Sequence, residues 1–170
     1  MMGPVSWRRS PVPRIDVGPR EKVLAVTEAA DGTVLAGTRD AFYVRTDDDT
    51  RRVPWEQVEA ADWDRDTDTF RLSEVGSWGE QRPVHVAVLA DPGRLLELVR
   101  ERVTASVVLQ RHVALSGRRG LRVIARRAPS GAGGVQWVYE YDEGVDPDDP
   151  AVRKVAQATL QAMRGEVGLP

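Results

Sequence analysis

The sequence predicts an α+β fold: an antiparallel sheet curled into a partly open barrel and capped by one helix, then a three-stranded β unit with its own helix. Three observations carry that prediction. Short stretches of alternating or β-branched residues, separated by turn residues, fill the chain from Glu21 to Ala90. Asp91-Pro92 and Asp149-Pro150 each precede a run with apolar residues at helical spacing. Between those two runs come three more strand-like stretches. Many short antiparallel strands must curl or close to limit their edges.

The elements follow in order. Residues 1–19 hold Pro4, Pro11, Pro13 and Pro19 without periodicity and predict an irregular arm. KVLAVTEA and TVLAGTR are strands joined at Asp31-Gly32, a strong hairpin turn. Arg39-Asp40 makes a second tight turn before AFYVRT, and Asp47-Asp48-Asp49 a solvated one after it. The next strand is placed at Val58 to Trp63. TFRLSEV then sets Phe70 and Leu72 on one face, and PVHVAVLA sets Val84, Val86 and Val88 on one face.

At Asp91-Pro92 the aspartate can accept from free first-turn N–H groups, and proline gives up a donor that had no partner. Leu95, Leu96, Val99 and Val103 then form the buried stripe of a helix of three to four turns. SVVLQRHVAL, GLRVIARRA and VQWVYEYD are three further strands. After Asp149-Pro150, Val152, Val155, Ala156, Thr159, Leu160 and Met163 form a second stripe. The expected division is an arm at 1–19, a barrel with its capping helix at 20–106, and a βββα unit at 107–170.

Composition narrows the function classes. With no cysteine there is no thiolate metal site, no disulfide framework and no Cys nucleophile. The absence fits a reducing compartment, no apolar run follows the N-terminal arginines, and nothing approaches the ~20 apolar residues of a membrane span. The expected location is cytoplasmic. A net charge of −2 disfavours a general nucleic-acid binder, although 22 of the 24 basic residues are arginine.

Four aspartates, Asp62, Asp64, Asp66 and Asp68, recur at every second position and form a weak cation candidate. A calcium loop counted from Asp62 would need glycine at the sixth position and glutamate at the twelfth, where Thr67 and Ser73 stand. A polar hairpin turn explains them better. His85 and His112 lack zinc-site spacing and read as rim or surface residues. There is no GxSxG, and SGAGG lacks the Lys-Ser/Thr of a phosphate loop, so neither an enzyme nor a cofactor is expected.

Arg111 to Arg127 is a basic run, and Arg118-Arg119-Gly120 within it could grip phosphate. The acidic segment that follows offers a structural alternative. If residues 128–134 close a hairpin pairing Arg127 with Val135, then Arg122 faces Glu140, Arg126 faces Gln136, Ile124 faces Val138, Val123 faces Tyr139 and Ala125 faces Trp137. The arginines would then be partly neutralised within the fold. Trp137, Tyr139 and Tyr141 share one face, either as a stacking platform or, more simply, as core against the last helix. Trp78, in GSWGEQ, is the first candidate for an exposed partner contact, with Arg118 and Arg119 beside it as candidates.

TVLAGTRDAFYV, then RRVPWEQVEAADWD, then a hairpin, a last strand and one amphipathic helix resemble the pleckstrin-homology-like domains of bacteria. The resemblance covers Glu21 to Ser106. It implies a bent, nearly closed sheet capped by a helix and used mostly to bind partners. It does not imply phosphoinositide binding, because Ala29-Ala30-Asp31-Gly32 lacks the basic cluster that activity needs. The expected function is a non-enzymatic interaction module binding a protein partner or itself, by a sheet edge or a groove beside the first helix. The alternatives are a small-ligand or enzyme site in the cleft between the two units and nucleic-acid binding by residues 111–127.

Overall fold

A computed structural model describes residues 11–76 and 81–168. The chain is α+β, with three antiparallel sheets and two helices among these residues. The first sheet has the order β1 (Ala25–Glu28), β2 (Val34–Gly37), β3 (Ala41–Arg45), β4 (Thr50–Pro54). A short 3-10 turn, Trp55–Gln57, leads to the second sheet: β5 (Val58–Asp64), β6 (Thr69–Glu74), β7 (Val84–Val88). Helix α1 (Leu95–Ser106) passes without a loop into β8 (Val107–Ser116). The third sheet has β9 (Arg119–Arg126) between β8 and β10 (Gln136–Tyr141), and α2 (Pro150–Val167) closes the order strand, strand, strand, helix.

One apolar cluster joins the first two sheets and α1. Phe42, Trp55, Phe70, Leu72, Leu89, Leu95 and Val99 are its buried members. Trp55 is fully buried, and its ring N–H donates to the Thr38 carbonyl at 3.0 Å, so its one polar atom is satisfied. A second cluster has Leu121, Val123, Ala156 and Met163 at its centre, with Trp137, Tyr139, Tyr141, Val152, Val155 and Leu160 packed against them. The aromatic stripe of β10 is thus core against α2. The Arg164 guanidinium stands 5.9 Å from the Trp137 ring.

The β9–β10 register is the one the sequence predicts, with Arg122 opposite Glu140, Ala125 opposite Trp137 and Arg126 opposite Gln136. Asp149 caps α2, accepting from the Ala151 N–H at 2.8 Å.

Three features depart from the sequence reading. The first seven strands form sheets of four and three and no closed barrel, because the chain turns away at Pro54–Gln57 and β5 pairs with β6 alone. Strand β4, TRRVP, is an element that the sequence pattern does not mark. Arg51 and Arg52 are exposed on it, and it carries no apolar alternation to mark it.

The third departure is the start of α1, which begins at Leu95 with no side-chain cap. Asp91 instead accepts from Gly93, whose φ of +52° belongs to a left-handed turn. Val84, Val86 and Val88 share a face, as their alternation predicts, and that face is exposed; Ala87 and Leu89 supply the buried side.

The arm from residue 11 has no regular structure, yet it is docked. Ile15 and Val17 pack with Val23 and Val26 on Ala36, Ala41 and Tyr43, on the outer side of the first sheet. The Gly18 N–H donates to the Tyr43 hydroxyl at 2.9 Å, and that hydroxyl donates to the Glu21 carboxylate. Arg52 binds the same carboxylate at 2.5 Å. No helix among the described residues is long and apolar enough to cross a membrane.

Candidate functional site

The strongest candidate is a groove between β5 and α1. Its backbone side follows from strand alternation. Glu74 N–H donates to the Pro83 carbonyl, and Leu89 N–H to the Asp68 carbonyl. The even residues of β6 therefore point their peptide groups at β7, and its odd residues point theirs at β5. Their β5 partners are Ala60, Asp62 and Asp64, opposite Ser73, Arg71 and Thr69. The peptide groups of Ala61 and Trp63 then point away from the sheet, along its outer edge, and no backbone partner meets them among the described residues. Two residues before Ala61, the same edge is occupied: the Glu59 carbonyl accepts from Arg126 Nη2 at 3.2 Å.

The side-chain half of the groove comes from α1. Leu95 and Val99 are buried in the core, while Leu96 and Val103 lie at its margin with Ala61 and Trp63. Between them is a groove of about 380 Å³, lined by Trp63, Phe70, Leu96, Val99 and Val103 and bordered by Asp62, Arg100 and Thr104. That volume is at the low end of ligand pockets, enough for one or two side chains. Neither Asp62 nor Arg100 has an ion pair among the described residues.

Two polar clusters lie elsewhere. Glu74, 7% exposed, shares the core face of β6 with Phe70 and Leu72. Arg51 grips its carboxylate with two N–H groups at 3.0 and 2.6 Å, and His85 Nε2 donates at 2.7 Å. Burial pushes the Glu74 carboxyl up, but these hydrogen bonds outweigh it and leave the group below the ordinary glutamate range. Arg126, 3% exposed, donates to Ser106 Oγ at 3.1 Å as well as to Glu59, and its Nε has no partner among the described residues. Burial lowers its pKa, against the pull of Glu140.

The residues singled out from sequence are scattered. Asp62 sits on β5 opposite Arg71, Asp64 ends that strand, and Asp66 and Asp68 lie in the turn to β6. The Asp66 N–H donates to Asp64 at 2.9 Å, and Asp68 has a φ of +51°, both marks of a turn. Among the described residues no three His, Cys, Asp or Glu side chains gather as metal ligands.

Arg118 and Arg119 are exposed at the β8–β9 hairpin. Within the basic run, Arg111 pairs with Glu166 at 2.7 Å, Arg122 with Glu140 at 3.3 Å, and His112 with Asp142 at 3.0 Å. Trp78 lies outside the described residues. Sequence reasoning missed both Glu74 and Arg126. Alternation in TFRLSEV does put Glu74 on the core side with Phe70 and Leu72, and that was the available signal. Arg126 shares a strand face with exposed Arg122, and no local pattern distinguishes the two.

Compared with protein-family models, with curated proteins and with solved structures, the chain matches none.

Proposed function

We propose that this chain is a non-enzymatic interaction module, acting in the cytoplasm on a pleckstrin-homology-like scaffold, that accepts an extended segment of a protein partner in the β5–α1 groove. The scaffold reading is supported by four antiparallel strands, three more, and a helix packed on both sheets across Ala25 to Ser106. The observation that carries the binding reading is the open edge at Ala61 and Trp63 beside an apolar groove. An added strand would satisfy those peptide groups, and one of its side chains would bury against Phe70, Leu96 and Val103. Arg126 already shows a donor seated on this edge at Glu59. Gln57 and Gln136 hydrogen-bond where the two halves of the chain meet, near the Arg126 contact, which favours binding over a ligand cleft there.

The test is selection of binders from a random linear peptide display library on the whole chain, followed by amide chemical-shift mapping. Selected peptides should carry a large apolar residue, shift Ala61, Trp63, Val99 and Val103, and lose tenfold or more in affinity on Val103→Glu, about 1.4 kcal/mol. Failure to select any peptide, or shifts confined to another surface, would contradict the proposal.

A further inference from the structure

We infer that the segment accepted by the β5–α1 groove is the C-terminal tail of the partner protein, docked antiparallel to β5 with its terminal carboxylate against Arg126. This rests on the groove reading above and adds the chemistry of the occupant's end.

Arg126 is 3% exposed, yet no carboxylate pairs with it among the described residues. Nη1 donates to Ser106 Oγ at 3.1 Å and Nη2 to the Glu59 carbonyl at 3.2 Å, while Nε is buried without a partner. Both acceptors are neutral oxygens. A buried cation so placed keeps much of its desolvation cost, and an anion beside it would offset that cost.

The guanidinium shows where the anion belongs. Its Nε–H and one Nη2–H lie side by side as the two tines of one fork. Nη2 rests on the Glu59 carbonyl, so the free tine faces the same edge of β5. Along that edge the next outward group after the Glu59 carbonyl is the Ala61 N–H, which also has no backbone partner among the described residues. A carboxylate has an oxygen for each. One accepts from the Ala61 N–H, as a strand carbonyl would, and the other faces the guanidinium.

Arg126 also fixes direction. A strand antiparallel to β5 ends toward the start of β5, where the cation stands; a parallel one would bring an N-terminal ammonium there. An internal segment would have to continue past Glu59, where Arg126 already fills the edge. With the last residue opposite Ala61, its side chain and that of the third-last, opposite Trp63, lie on the groove side. The penultimate side chain stands beside exposed Asp62, which favours a basic residue over an acidic one. The tail therefore reads apolar, basic, apolar, carboxylate.

The test compares peptides on the unaltered whole chain. Peptides are selected from a random library displayed with free carboxyl ends, then synthesised as the acid and as the C-terminal amide. The acid should bind about tenfold or more tightly than the amide. It should also move the Arg126 Nε–H resonance together with the Ala61 amide, and the amide form should leave that resonance in place. Equal affinities for the two forms, or a preference for the acid that leaves the Arg126 resonance unmoved, would overturn the inference while the groove reading stood. If neither form shifted the groove amides, both would fall.

Discussion

Glu74 is a carboxylate held on the apolar side of a strand, and it stays charged there because Arg51 and His85 reach it from other strands. Its folded pKa lies below its ordinary value, so its contribution to stability is complete above the ordinary value. That contribution drains away as the pH falls through the lower, folded value. The melting temperature should therefore drop on acidification. Glu74→Gln should melt lower at neutral pH and converge on the wild type in acid; equal differences at both pH values would contradict this assignment. Glu21, which loses more to hydrogen bonds from Arg52 and Tyr43 than it gains from burial, is lowered in the same direction and adds to the slope. Two exposed valines, Val86 and Val88, show the reverse: apolar residues at period two that face out because alanine and leucine already fill the inner side.

At the level of elements, the two Asp-Pro pairs look alike in sequence and do different work. Asp149 caps α2, so Asp149→Ala should cost about 0.5–2 kcal/mol in urea unfolding, whereas Asp91→Ala should cost only a few tenths because α1 starts three residues beyond Pro92. A Gly at position 93 with a left-handed φ was the signal that separated them. Gly120 makes a sharper demand: a methyl there would stand 1.9 Å from the Val113 carbonyl oxygen across the β8–β9 pair. Gly120→Ala should destabilise by about 3 kcal/mol or more, read from the same unfolding curves. The register of β9 on β10 was legible because one loop closure and a period of two fix every pair. The break between β4 and β5 was not, since nothing local tells a strand which edge it will leave unpaired.

Across the whole molecule, the two apolar clusters share no residue, and Arg126 is the buried polar link between them, touching the end of α1 and the start of β5. Arg126→Ala would strip a hydrogen bond from Ser106 and another from the Glu59 carbonyl, so a loss of about 1–3 kcal/mol is expected, with the two clusters melting less cooperatively by calorimetry. The helix stripes, the strand count beyond Asp91 and the βββα order were readable because they repeat local patterns; the contact between the halves is made by residues 67 and 20 positions apart and left no such trace. The same contact ends at Glu59 and leaves the next stretch of β5 open, on which the binding proposal depends. Residue-resolved amide hydrogen exchange on the free chain tests that most directly. The amides of Ala61 and Trp63 should exchange orders of magnitude faster than those of Asp62 and Asp64, which pair with β6; equal, strong protection at all four would mean that the edge is covered and the groove closed.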